Sequence, residues 1–264
     1  MDAIPLDPLR AIALIAAGFA AGVMNSVAGG GTLVTFPTLI FVGLPSIPAN
    51  ATSTVALLPA AIASAAGYRN KIPTVARWLT VFAPVSLLGG LLGGYLLVQT
   101  PTAVFDWLVP FLILFATFLF MAGSSVSRML GTHTALTQTS SPSTRWIVGG
   151  VIFQFCVAVY GGYFGAGIGI LMLASLAMQG FHDVHEMNAL KVLLGFLINV
   201  VAAVYFIASG LIHWVSAGTM MVGTILGGYA GAHVAQKFQQ RKVRTAITAI
   251  GLIISAVMFY KQLT

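Results

Sequence analysis

Two glycine-rich breaks in otherwise apolar sequence carry the residues best suited to chemistry. Gly29, Gly30 and Gly31 interrupt an apolar segment just before Thr32, and a second break of similar composition covers residues 165–169. A helix that begins at such a break inside a membrane points unpaired N–H groups and the positive end of its dipole at the break. Such helix ends bind small anions, and glycine permits the close approach. The breaks therefore predict an anion site, although glycines that only allow a tight hairpin are an equal alternative.

Lys191 is the most informative side chain near these breaks, because it lies inside an apolar segment. A charged residue in a membrane segment usually serves a function, since its burial is costly. Two alternatives are that Lys191 reaches the nearer membrane face or pairs with Asp183 or Glu186. Asn50 and Asn188 occupy matching positions in the two halves of the chain, and capping of the helices that follow is their alternative role.

The candidate substrate-binding residues are the glycines of the two breaks and the polar residues around them. A further polar cluster at residues 182–186 contains two histidines and two carboxylates, but its spacing matches no metal-binding signature, so we interpret it as a solvated or gating loop. No nucleophile motif, phosphate loop or redox pair is visible, and we predict neither an enzyme nor a cofactor. The candidate residues are Asn25, Gly29, Gly30, Gly31, Thr32, Asn50, Thr52, Ser53, Gly165, Gly167, Asn188 and Lys191.

The two breaks belong to an internal duplication. Residues 50–96 match the sequence 138 positions later, and the glycine turns match at an offset of 136, with two additional residues near 181–187 accounting for the change. Interrupted apolar segments at matching positions of two halves indicate the binding site of a transporter. We predict an N-terminal repeat at 1–126, a cytoplasmic linker at 127–144 and a C-terminal repeat at 145–264.

The composition is that of a polytopic membrane protein. Hydrophobic residues make up 58% of the chain and charged residues 6%, and the mean hydropathy is +0.98. Soluble domains contain about 25% charged residues. The net charge of +7 does not indicate nucleic-acid binding, because the basic residues lie in short loops. The single cysteine, Cys156, excludes an internal disulfide.

The hydropathy pattern predicts ten apolar segments in an all-α fold. The segment after the first break, 32–44, has 13 residues, fewer than the roughly 17 needed to cross a bilayer. Each glycine-broken pair is therefore either a re-entrant hairpin or two short spans, and three further helices complete each repeat, giving eight to ten membrane segments. The ten segments are 9–27, 32–44, 49–66, 78–98, 104–124, 146–164, 168–178, 187–209, 212–235 and 245–260.

The placement of Lys and Arg predicts the orientation of the chain. If each broken pair enters and leaves on one side, nearly all basic residues outside the segments share one face, which is then cytoplasmic. Both termini are then periplasmic, and each half has an odd number of crossings, so the two repeats have inverted topology. The residues on the basic face are Arg69, Lys71, Arg77, Arg128, Arg145, Lys237, Arg241, Lys242 and Arg244.

Glycines are also dense in two longer apolar segments, where we predict a role in helix packing because small residues let helix backbones approach closely. Gln154 and Asn199 are lone polar residues that we expect to form hydrogen bonds across helices. The glycines are Gly89, Gly90, Gly93, Gly94, Gly223, Gly227, Gly228 and Gly231.

The combination of motifs resembles the TauE/SafE family, also called the sulfite exporter or TSUP permease family. The resemblance rests on residues 25–32, 48–53, 165–169 and 188–191, in the order and spacing of that family, and covers essentially the whole chain. It implies a bacterial inner-membrane permease for sulfur-containing oxyanions or organosulfonates, such as sulfite or sulfoacetate. A small anion agrees with the independent argument from the helix ends.

We therefore expect a secondary transporter of a small sulfur-containing anion that works by alternating access between its two repeats. The expected partners are that anion and the lipid bilayer, not nucleic acid. A passive anion channel and a membrane protein without transport activity are the alternatives. The coupling ion, proton or sodium, and a homo-oligomeric state are left open by the sequence.

Overall fold

The computed structural model describes residues 7–27, 30–132, 144–179, 181, 183–234 and 240–263, and this part of the chain is helical with short connections. The predicted all-α class is confirmed, and each predicted apolar segment corresponds to one helix. The helices are α1 (Pro8–Val27), α2 (Thr32–Val42), α3 (Ser46–Gly67), the 3-10 helix η1 (Arg69–Lys71), α4 (Ile72–Gln99), α5 (Thr102–Thr132), α6 (Thr144–Tyr163), α7 (Ile168–Met178), α8 (Val184–Ala208), α9 (Trp214–Val234) and α10 (Gln240–Leu263).

Helix lengths separate membrane-spanning candidates from shorter pieces. Within the described residues, five stretches are long and apolar enough to cross a membrane: Pro8–Asn25, Ser46–Gly67, Arg69–Gln99, Thr102–Leu119 and His185–Ala208. In contrast, α2 and α7 have 11 residues each, a length of about 16 Å at a rise of about 1.5 Å per residue. Because the hydrocarbon core is about 30 Å thick, neither α2 nor α7 can cross it alone.

The starts of α3 and α8 correct one interpretation of the sequence. α3 begins at Ser46 and α8 at Val184, so Asn50 and Asn188 each lie one turn inside a helix and cap neither. A proline precedes Ser46, and proline suits a helix start because the missing N–H group would have no partner there. At α8, the Asp183 side chain caps the helix by accepting a hydrogen bond from the backbone N–H two residues later at 2.7 Å.

The end of α5 overlaps the predicted linker. The helix continues to Thr132, so residues 127–132 are helical. Residues 133–143, the middle of the predicted linker, lie outside the described residues. Serine and threonine do not by themselves end a helix, because their propensity penalty of about 0.5 kcal/mol each is small.

Helix packing relates the two halves of the chain. α1 packs along α9 just as α6 packs along α4, and α3 contacts α9 just as α8 contacts α4. α3 and α8 meet each other, as do α5 and α10, and the hairpins α1–α2 and α6–α7 correspond in the same way. If each helix is exchanged with the helix five places away, so that α1 takes the place of α6 and α2 that of α7, this set of contacts stays the same.

The helices enclose two apolar cores, which define two ends of the molecule. One core gathers Val75, Trp78 and Met187 near η1 and the start of α8; we call this the basic end, because Arg69 and Arg77 are exposed there. The other core includes Leu97 and Phe206 from the opposite ends of α4 and α8, together with Leu44 and Ile212 from the connections before α3 and α9, and we call this the far end.

The glycines of α4 and α9 lie at helix contacts, which confirms the packing role for Gly89, Gly90, Gly93, Gly223 and Gly227. A Cβ at Gly227 would lie 2.7 Å from the carbonyl carbon of Phe19 in α1, and one at Gly93 would lie 2.8 Å from the backbone nitrogen of Tyr163 in α6. Gly94 and Gly228 have ordinary van der Waals surroundings. The surroundings of Gly231 lie outside the part that is described.

We predict that Gly227→Ala destabilises the protein, because the added methyl group forces α1 and α9 apart. Overpacking of this kind costs about 1–3 kcal/mol, which should lower the midpoint of thermal unfolding in detergent. The matched control is Gly218→Ala on the same helix, where a Cβ meets nothing within 4 Å and alanine should stabilise the helix by about 0.5–1 kcal/mol. Equal midpoints for the two variants would contradict the proposed contact.

Candidate functional site

The first glycine break is closed by the side chain of Asn25 at the end of α1. Its Oδ1 accepts hydrogen bonds from the backbone N–H groups of Gly30 at 3.1 Å and Gly31 at 3.0 Å. Gly30 has a φ of 132°, a conformation that favours glycine. Asn25 therefore pairs two donors that would otherwise be unsatisfied before α2. Gly29 lies outside the described residues.

Gly31 is required for a different reason from Gly30. Its φ of −52° is ordinary, but a Cβ would lie 3.0 Å from Leu57 Cδ2 and 3.1 Å from Ala21 Cβ. The residue thus lets the start of α2 pack against α1 and α3. The Thr35 hydroxyl lies 3.1 Å from the Gly31 carbonyl oxygen and 2.6 Å from the hydroxyl of Ser53, which further ties α2 to α3.

The second break differs from the first in its backbone conformation and in the groups that hold it. Gly165 and Gly167 have φ values of 81° and 79°, and the Tyr160 hydroxyl donates a hydrogen bond to the carbonyl oxygen of Ala166 at 2.8 Å. Gly167 is the N-cap of α7, and no side chain caps this helix. The first N–H groups of α7 therefore have no partner within the helix, and they begin at Ile168.

One cavity brings the two breaks together. It contains about 650 Å³ of space, including its open part. Both helix starts line it, and so do the second half of α3 and a stretch of α8 that begins two turns after its start. The lining residues are Asn25, Gly30, Thr32, Leu57, Ala61, Ser64, Gly165, Ile168, Gly169, Met172, Lys191, Val192, Gly195, Phe196 and Asn199.

Lys191 is the charged residue among those that line the cavity. Its side chain is only 8% exposed, so it does not extend to the outer surface of the protein. The ammonium group donates a hydrogen bond to Asn188 Oδ1 at 2.8 Å, and no carboxylate in the described part of the chain forms an ion pair with it. The alternative pairing with Asp183 or Glu186 is therefore not seen. A buried ammonium without a counter-charge favours an anion beside it.

Several predicted site residues lie outside the cavity. Asn50 donates from Nδ2 to the carbonyl oxygen of Tyr163 at 2.9 Å, and Thr52 Oγ1 accepts from the backbone N–H of His213 at 3.1 Å. Ser53 pairs with Thr35, as described above. These three residues of α3 lie towards the far end, and the structure does not bring them to the cavity. Gly31, Gly167 and Asn188 contact lining residues without lining it themselves.

The sequence did not indicate that Ser64 lines the cavity. For Asn199 it predicted a side-chain hydrogen bond to another helix. Asn199 Nδ2 instead donates to the carbonyl oxygen of Gly195 in its own helix at 2.9 Å, and both residues line the cavity. The spacing of 191, 195 and 199 places these positions on one helix face, which is the signal that could have found Asn199. For Gln154 the expected bond is confirmed, since its Nε2 donates to Ser86 Oγ of α4 at 2.9 Å.

Asp183, His185 and Glu186 of the polar cluster are not among the residues that line the cavity. Asp183 caps α8, and His185 is exposed at the first turn. His182 lies outside the described residues.

Comparison with known proteins decides the family. A family model described as sulfite exporter TauE/SafE matches residues 14–258. The chain belongs to the TauE/SafE family. The match includes both breaks, the cavity and Lys191, and it confirms the resemblance seen in the sequence. No solved structure matches the chain.

Relatives of this TauE/SafE protein are named as transporters. A probable membrane transporter protein of Haemophilus influenzae is 27% identical over 94% of this chain and 94% of its own length. The probable membrane transporter protein YfcA of Escherichia coli K12 is 26% identical over 97% of this chain and 91% of its own length, and YunE of Bacillus subtilis is 23% identical over 95% and 97%. With its apolar helices, the chain is a multi-pass membrane protein of a transporter family.

We predict that Asn25→Ala destabilises the first break, because the N–H groups of Gly30 and Gly31 lose their acceptor. Leaving buried donors unpaired costs about 1–3 kcal/mol, which should appear as a lower midpoint of thermal unfolding. Asn25→Asp keeps an acceptor oxygen and should stay close to the wild-type midpoint. An equal loss in both variants would show that the acceptor does not hold the break.

Proposed function

We propose that this protein is a secondary transporter of a small sulfur-containing anion, such as sulfite or an organosulfonate, and that the anion binds in the cavity between the two breaks. The observation that carries the proposal is Lys191, a buried ammonium group at the cavity wall that no carboxylate of the described chain neutralises. The family description and the names of the relatives support transport rather than catalysis.

The chemistry of the cavity wall supports an oxyanion. Its lining contains one cation and no carboxylate, together with the neutral donors of Asn25, Thr32 and Ser64. The start of α7 adds N–H groups without helical partners and the positive end of a helix dipole. The oxygens of a sulfite or sulfonate group accept hydrogen bonds, and charge-assisted bonds of this kind are about twice as strong as neutral ones.

The helix arrangement supports two inverted repeats and alternating access. The contacts of the helices are preserved when the two halves are exchanged, and α2 and α7 are half-helices of equal length at equivalent positions. Transporters built from inverted repeats place the substrate at such broken helices and move one bundle against the other. We propose that the basic end faces the cytoplasm of a bacterium and that both termini are periplasmic, following the positive-inside rule.

The closed far end supports a carrier over a passive channel. Phe36 packs edge-on against Phe164 at 5.4 Å between ring centroids and against Phe105 at 6.4 Å. All three side chains are buried, and they lie in the far-end core. Packed rings that close the far end beside a cavity are expected of a carrier between transport steps, whereas a passive channel needs a continuous open path.

We predict that Lys191→Met weakens sulfite or sulfoacetate binding at least tenfold, because a hydrogen bond to a charged group contributes about 1.5–3 kcal/mol. Lys191→Arg keeps the charge and should retain part of the affinity. Lys71→Met, in η1, removes an equal charge outside the cavity and is the matched control. Binding is measured with the purified protein by calorimetry or by the ligand-dependent rise in unfolding midpoint. Unchanged affinity in Lys191→Met would rule out the proposed site.

Transport itself is tested in proteoliposomes. We expect accumulation of the labelled anion against its own gradient when an unlabelled anion or an ion gradient is supplied. Equilibration that stops at equal concentrations under every imposed gradient would instead identify a passive channel.

A further inference from the structure

We propose that Ser53 and Thr54, with Asn50 beside them on α3, form a second half of the translocation pathway, and that Ser53 and Thr54 line the cavity when it opens at the far end. In the present conformation Asn50 and Ser53 are buried and Thr54 is half-buried, and the cavity wall lies nearer the basic end. The inference rests on the proposed function, because it requires alternating access between two repeats.

The first argument is positional. Leu57 and Ala61 of α3 lie 138 positions before Gly195 and Asn199 of α8, and all four residues line the cavity. On α8 the wall continues one turn towards the basic end, to Lys191 and Val192. The counterparts of these two residues on α3 are Ser53 and Thr54.

On α3, by contrast, the wall continues in the opposite sequence direction, from Ala61 to Ser64. Because α3 ends and α8 begins at the basic end, both extensions lead towards that end. The counterpart of Ser64 is Ala202 of α8, which is buried in the far-end core. If the two halves exchange conformations, the wall shifts by about one turn on each helix, and Ser53, Thr54 and Ala202 become lining residues.

The second argument is an unsatisfied polar atom. Asn50 is 1% exposed, and its Oδ1 has no hydrogen-bond partner among the described residues. The Ser46 hydroxyl, one turn earlier on α3, is buried and unpartnered in the same way. Buried polar groups normally have partners, and these two atoms would gain water or ligand partners in a cavity that opens at the far end.

Asn188, the counterpart of Asn50, has a hydrogen-bond partner for its side-chain amide oxygen. Its Oδ1 accepts a hydrogen bond from the Lys191 ammonium beside the cavity. The equivalent position to Lys191 in the first half is Ser53, whose hydroxyl is turned to Thr35 at 2.6 Å. The first half thus contains the amide of the site without the cation.

The third argument concerns what seals the far end. Phe36 is the counterpart of Met172 at the offset of 136 positions, and Met172 lines the cavity. Two hydrogen bonds between the halves add to the seal: Asn50 donates to the Tyr163 carbonyl oxygen, and the His213 N–H donates to Thr52 Oγ1. Opening the far end would separate Phe36 from Phe164 and release the amide of Asn50 to the pathway.

The test is cysteine accessibility in a Cys156→Ser background, since Cys156 is exposed in the wild type. Ser53→Cys and Thr54→Cys are compared with Ser64→Cys, which lines the present cavity, and with Val55→Cys, which is buried and faces away from both tested positions on the helix. Each variant is treated with a membrane-impermeant maleimide in right-side-out cells and in inverted vesicles, with and without sulfite or sulfoacetate. Retention of fold is checked by gel filtration.

We expect Ser53→Cys and Thr54→Cys to react only from the side opposite to that of Ser64→Cys, and at least threefold faster during transport. Val55→Cys should react from neither side. Lack of reaction at both 53 and 54 in a chain that still transports the anion would overturn this inference alone, as would reaction from the same side as Ser64→Cys. Opposite-side labelling in a chain that transports no sulfur-containing anion would overturn the proposed substrate and leave this inference intact.

Discussion

A membrane interior offers no hydrogen-bond partners, and this constraint governs the two breaks on which the site depends. Each break leaves backbone groups that protein atoms must satisfy. Asn25 does so at the first break by accepting from Gly30 and Gly31, whereas at the second break Tyr160 holds the carbonyl oxygen of Ala166. At the first break the N–H groups are therefore paired with Asn25. At the second break the N–H groups at the start of α7 have no side-chain cap and lie beside the cavity. Two similar breaks therefore have different chemical roles.

The close packing of glycines joins helices from the two halves of the chain. α1 is joined to α9 at Gly22 and Gly227, and α6 is joined to α4 at Gly162 and Gly93, with backbone against backbone. Each broken hairpin is thus held by a helix of the other half of the chain. Such contacts resist sliding because any displacement brings backbone atoms into collision.

Hydropathy and glycine spacing predict the helices, the two breaks and the presence of Lys191 near them, because these features follow from local sequence. The starts of α3 and α8 were harder to predict, since a proline and Asp183 place them one turn before the two asparagines. The position of Asn50 could not be derived at all. Its partner, the Tyr163 carbonyl oxygen, is 113 positions away, a separation that local sequence spacing cannot predict.

The two halves of the chain differ at one pair of equivalent positions, and this difference gives the cavity its positive charge. Lys191 corresponds to Ser53, so a symmetric framework carries its charge on one side only. Closing the cavity around an empty site would bury an ammonium with an amide as its partner, and burial of an uncompensated charge is costly. An anion removes that cost, because the pair is neutral. On the proposed function, occupancy of the site therefore favours the closed intermediate, and a ligand that stabilises one conformation more than another shifts the equilibrium towards it.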